Sequence, residues 1–148
     1  MIHCIPQSLL SQSYDIRGDG QSAVVMFNWF SEQGDLYLEN QKYRISKKGV
    51  FSGAWEMKRG GEAIAAAQKL NAFTRTIEIR SGFGTHTLEA QSMFTRAMML
   101  SGLDSHCTFV ARAFWSRRYR IDGQIPDFEI TCFAFWLVAI LERRQRHS

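Results

Sequence analysis

The residues in this 148-residue chain best suited to chemistry are its paired cations. Lys47-Lys48 and Lys58-Arg59 flank an expected strand over 50–57, and Arg117-Arg118, with Arg120 close by, sits at another expected strand boundary. Gathered on one rim, such groups would hold phosphate by charge and by guanidinium forks. Lys47, Lys48, Lys58, Arg59, Arg117 and Arg118 are therefore the candidate anion- or lipid-binding residues. The competing reading is charge spread over a solvated face. A further cluster, Arg143-Arg144 with Arg146, lies near the C-terminus. The net charge of +4 and pI near 9.2 permit an anionic partner without demanding one. Aromatic residues do not interleave with the basic ones as in RNA-reading surfaces, which argues against nucleic acid.

Other constellations dissolve on inspection. His3-Cys4 and His106-Cys107 could supply four metal ligands, but neighbours on a strand point to opposite faces, so each pair offers a site one ligand at most. Asp104-Ser105-His106 has the residue types of a hydrolytic relay, yet three consecutive residues cannot form one. Gly82-Phe83-Gly84 and Gly60-Gly61 lack the strand-to-helix context and the lysine of a phosphate loop, so they read as turns. Arg17-Gly18-Asp19 also reads as a turn. No catalytic residue, metal site or cofactor is expected.

The elements that must position the cations are mostly strands. Tyr43 and Ile45 alternate with charged neighbours, as do Trp55 with Met57 and Ile77 with Ile79. This period of two marks half-buried strands. Strands are expected over 22–30, 36–38, 42–46, 50–57, 74–80, 85–90, 94–100, 107–115 and 118–121. Between them, Gln33-Gly34-Asp35, Glu39-Asn40-Gln41, Lys47-Lys48-Gly49 and Asp122-Gly123 read as turns. The alanine-rich stretch 62–73 is open between helix, which its propensity favours, and strand, which flanking hairpins could impose. No break in composition suggests a linker, so 1–148 reads as one domain.

One segment departs from this pattern. From Asp127, a plausible N-cap, to Arg144, the chain reads as a helix, with Glu129 near its start and arginines at its end. Ile130 to Leu141 is apolar on every side, as in a membrane span or an enclosed core helix. Twelve residues make about 18 Å of helix against about 30 Å of hydrocarbon. The segment is therefore a core helix and not an integral membrane span. Only strands are available to wall it in, so the fold expected is mainly β: a closed or nearly closed antiparallel barrel around the buried helix. Cys4, Cys107 and Cys132 cannot all pair, and Met1-Ile2-His3-Cys4-Ile5-Pro6 lacks a signal peptide's pattern. Both suggest a cytoplasmic protein.

A strand series closed by an apolar terminal helix resembles the tubby C-terminal-like superfamily, which includes tubby proteins, phospholipid scramblases and LURP-one-related proteins. The hairpin Tyr43-Arg44-Ile45 … Gly53-Ala54-Trp55-Glu56-Met57 is similar to the paired Y-x-I … G-x-W-x-L/M strands of LURP-one-like chains. The run from Glu62 to Lys69 is strand in such chains. The resemblance implies a non-enzymatic binding or scaffold module contacting anionic phospholipid head groups or a protein, peripheral to a membrane if lipid is the partner. No tubby lipid-binding residue maps onto this sequence. A barrel carrying a small apolar ligand is the alternative.

Overall fold

A computed structural model describes residues 1–8, 11–49, 53–71, 75–91, 96–113 and 116–146. The chain starts with β1 (Ile2–Pro6), β2 (Ser13–Gly18), β3 (Gln21–Asn28), β4 (Gln33–Leu38), β5 (Gln41–Lys48) and β6 (Ala54–Arg59). It continues through β7 (Glu62–Lys69), β8 (Thr76–Ser81), β9 (Gly84–Ala90), β10 (Met98–Ser101), β11 (His106–Ala111) and β12 (Tyr119–Gln124). It ends in α1 (Phe128–Arg146). Each strand pairs antiparallel with the next, and β1 pairs with β12, so the sheet closes into a barrel.

The helix fills the barrel. Phe128 and every residue from Ile130 to Glu142 are buried, against inward side chains such as Ile16, Val25, Ile45, Trp55, Ile79 and Phe109. Most outward positions on the strands are polar, as on β5, where Lys42, Arg44 and Ser46 alternate with Tyr43 and Ile45, although Met26 and Tyr37 are exposed on β3 and β4. This is the reverse of a membrane barrel, which is apolar outside and polar within. Among the described residues, no helix is long and apolar enough to cross a membrane.

Packing decides one open reading and corrects several expectations. Of the alanine-rich stretch 62–73, open between helix and strand, 72–73 lie outside the described residues and 62–69 is strand β7, since it lies between β6 and β8 and completes the wall. Its small side chains match large neighbours, with Ala67 opposite Trp55 and Ala65 opposite Met57. Residues 33–35 begin β4 and do not turn, because Gly34 faces inward where the Trp136 indole sits. A Cβ there would overlap Trp136 Nε1 and the Met26 carbonyl. Asp122 and Gly123 lie within β12, and Gly123 (φ 108°) lets the β11 backbone approach closely. Lys47 and Lys48 end β5 instead of turning. Strands expected over 94–100 and 107–115 are shorter: Arg96 and Ala97 precede β10, Arg112 and Ala113 follow β11, and 94–95 and 114–115 lie outside the described residues. The start of the expected 50–57 strand, 50–52, also lies outside them. The first two strands were not expected.

Consecutive pairing assigns every connection to one of two ends. The turns 19–20, 39–40, 60–61 and 82–83, the loop 102–105 and the link 125–127 share the end where the helix begins. The connections 7–12, 29–32, 49–53, 70–75, 91–97 and 112–118, most of them longer, share the end where it finishes. We call these the hairpin end and the loop end.

Candidate anion-binding surface

The helix places cations at the loop end through a relay of aromatic rings. Phe135 meets Tyr14 and Tyr119 edge-on at 5.0 and 5.5 Å. Trp136 stacks with Phe27, which stacks with Trp29 at 4.4 Å. Each outer ring of the relay carries a guanidinium: Arg117 over Tyr14 (5.6 Å), Arg96 over Tyr119 (5.4 Å) and Arg143 over Trp29 (4.9 Å). These cation–π pairs line a cavity of about 340 Å³ at the barrel mouth, with Glu142 and Arg146 on its helix side.

Some of these cations hold the structure together. Arg96 donates to the carbonyls of Ala113 and Ser116 (2.8 Å each) and pairs with Glu142, tying the 112–118 connection to the helix. Arg117 donates to the Ser11 carbonyl. It bridges a seam where β1 and β12 pair only from Ile2 to Cys4. Arg144 donates two hydrogen bonds to Glu32, at 2.6 and 2.5 Å, and stacks over Trp55. Lys47 approaches the same carboxylate at 3.5 Å. Burial pushes the Glu32 carboxyl up, but Arg144 and Lys47 outweigh it and hold it below the usual range.

Other cations have no carboxylate partner among the described residues: Lys69, Arg75, Arg112, Arg118 and Arg143. Burial and the nearby charges of Arg144 and Arg75 push the Lys69 ammonium below its ordinary range. Arg112 and Arg118 are exposed beside a second cavity of about 220 Å³ on the outer wall, bordered also by His3, Arg120 and Tyr119. Since Tyr119 borders both cavities, the cationic surface runs from the mouth over the rim to the β1–β12 seam. Crowded guanidiniums on aromatic walls suit a phosphate or carboxylate. Glu142 is held by Arg96 and Arg146.

The six sequence candidates do not share one rim. Lys47 and Lys48 lie at the loop end, and Arg117 and Arg118 across the mouth from them, separated by β4, β3, β2 and β1. Lys58 lies towards the opposite end and Arg59 adjoins the hairpin turn 60–61. Lys48 and Lys58 both reach Glu56 at 3.3 Å, on the outer wall. Arg59 covers Tyr43, whose hydroxyl donates to Glu129 at 2.7 Å. Arg75, Arg96 and Arg112 were missed because they are single cations in separate connections. Arg143, Arg144 and Arg146 were visible as a cluster, but read as helix-end charge.

The remaining motifs separate as expected of strands. Cys4 and Cys107 face inward while His3 and His106 face out. Desolvation raises the Cys107 thiol to about 12. His106 Nδ1 lies 3.3 Å from Ser101 Oγ, and Ser105 Oγ is buried with no hydrogen-bond partner among the described residues, so no relay links Asp104, Ser105 and His106. Comparison of the chain with protein-family models, curated proteins and solved structures found no match.

Proposed function

We propose that the chain is a non-enzymatic binding module, of the tubby and LURP-one-like type, that docks on anionic phospholipid head groups through its loop end. The separation of charge between the two ends carries this reading. In the loop-end connections stand Arg75, Arg96, Arg112, Arg117 and Arg118, joined by Arg143, Arg144 and Arg146 from the helix; the acids there are Glu32 and Glu142. The hairpin-end connections and first helical turn hold Asp19, Glu39, Asp104, Asp127 and Glu129, with no lysine or arginine; on the adjoining strand ends Arg59 lies over Tyr43, and Arg17, Lys42 and Arg80 are paired with Asp15, Asp35 and Glu78. A cationic pole of this kind draws the molecule end-first to a negative surface. The carrier alternative loses support because α1 occupies the interior that an apolar ligand would need.

The test is vesicle co-sedimentation. Vesicles of phosphatidylcholine with phosphatidylserine should bind the protein, phosphatidylcholine alone should not, and raised salt should release it. The double variant Arg112→Glu/Arg118→Glu, altered only at exposed side chains, should weaken binding by on the order of 10- to 100-fold. Equal binding to neutral vesicles, or binding indifferent to salt, would sink the proposal. Indifference to every vesicle would favour a protein partner instead.

A further inference from the structure

The turn between β3 and β4 holds an aromatic side chain completely in the open: Phe30 is 102% exposed. Its neighbours are fastened. Asn28 Oδ1 accepts hydrogen bonds from the backbone N–H of Phe30 (3.2 Å) and of Ser31 (3.4 Å). Trp29 is sandwiched between Phe27 and the Arg143 guanidinium. Glu32, in a left-handed conformation (φ 52°) unusual for its type, is clamped by Arg144 and Lys47. A turn needed only to reverse the chain would be served by small polar residues. This one displays a phenylalanine with the cations Lys47, Arg143 and Arg144 around its base.

Leu70, 56% exposed, stands at the same end next to Lys69 and near Arg75. Exposed apolar side chains occur at the hairpin end too, Phe83 at 55% and Leu103 at 97%. At Leu103 the neighbouring charges Asp104 and Asp127 have the wrong sign for an anionic surface, and at Phe83 the nearby Arg80 is paired with Glu78. Apolar tips set among cations are the pattern of proteins that lie in a bilayer interface. A nucleic acid would be served by Phe30 through stacking but not by the aliphatic Leu70.

Resting on the phospholipid reading above, we infer that the barrel docks end-on, with Phe30 entering the interfacial layer of an anionic bilayer while Arg143 beside it, and Arg112 and Arg118 on the rim, hold the head groups. The native cysteines Cys4, Cys107 and Cys132 are buried, so a cysteine added at the surface can be labelled selectively. Phe30→Cys and, as a hairpin-end control, Leu103→Cys would each carry a polarity-sensitive fluorophore. Mixing with phosphatidylcholine/phosphatidylserine vesicles should blue-shift the dye at position 30 and leave the dye at 103 unchanged. Phe30→Ser should bind these vesicles roughly tenfold more weakly with the same thermal midpoint as the parent. Sedimentation with the vesicles but no shift at 30, or a shift at 103, would overturn end-on insertion and leave the phospholipid reading standing. No sedimentation, or a shift at 30 only with an oligonucleotide, would overturn both.

Discussion

The two ends of the barrel are built by the same strands yet differ in connection length and charge. At the hairpin end, residues with positive φ such as Asp19, Gly20, Glu39, Gly60 and Gly61 close tight turns, which hold neighbouring strands in register. At the loop end the connections run from 29–32 at the shortest to 91–97 and 112–118 at the longest. The helix dipole accounts for part of the charge separation. Its positive start lies beside Asp127 and Glu129, and its negative finish beside Arg143, Arg144 and Arg146. That effect fades within a turn of helix, and so does not explain Arg112 and Arg118 on the outer rim. The difference teaches that one end is built for closure, while the other carries more charge than closure requires.

The largest effect should come from removing what both ends share. Trp136→Asp would put an unpaired charge where the side chain is 0% exposed, at a cost of several kcal/mol. No cooperative thermal transition should remain by circular dichroism. A folded, cooperatively melting variant would break the account of the helix as the common support.

A pair of glycine variants then separates inward packing from turn geometry. Gly34→Ala should lose about 3 kcal/mol, because both the Trp136 ring and the Met26 carbonyl stand in the way. Gly60→Ala, with open space but a φ of 59°, should lose about 1 kcal/mol. Urea denaturation midpoints would order the two, and equal losses would mean that Gly34 is not needed to seat the indole.

The smallest effect contrasts two acids in left-handed turns. Glu32→Gln at the loop end should cost about 1 kcal/mol at neutral pH, and Glu39→Gln at the hairpin end, exposed and outside any ion pair among the described residues, under about 0.5 kcal/mol. The sign of the pH dependence follows from the folded Glu32 carboxyl titrating below its unfolded value. Its contribution is present above the ordinary carboxylate range, about 4.3, and disappears as pH falls through the lowered folded value. Thermal midpoints of the parent and of Glu32→Gln should therefore converge on acidification, and a gap constant down to pH of about 2 would contradict the clamp.

Much of the fold was legible because its signals are local. Alternation at Tyr43 and Ile45, at Trp55 and Met57, and at Ile77 and Ile79 placed those residues inside the wall, where they are buried. All-round apolarity from Ile130 to Leu141, too short to cross a bilayer, required an enclosing sheet. The candidate site was less legible. Of the candidate cations, Lys47, Lys48, Arg117 and Arg118 stand at the loop end, whereas Lys58 and Arg59 lie towards the other end.

The sequence by itself determined that there would be strands, which of their faces turn inward, and that the last helix would be the core, since side-chain periodicity and hydrophobicity are properties of neighbours along the chain. Only the tertiary structure decided that 62–69 is strand, that Gly34 yields its place to Trp136, and that Arg96, Arg117 and Arg143 meet around one mouth. Those outcomes depend on which strands lie side by side and which end each connection reaches, and closure of the whole sheet around α1 sets both.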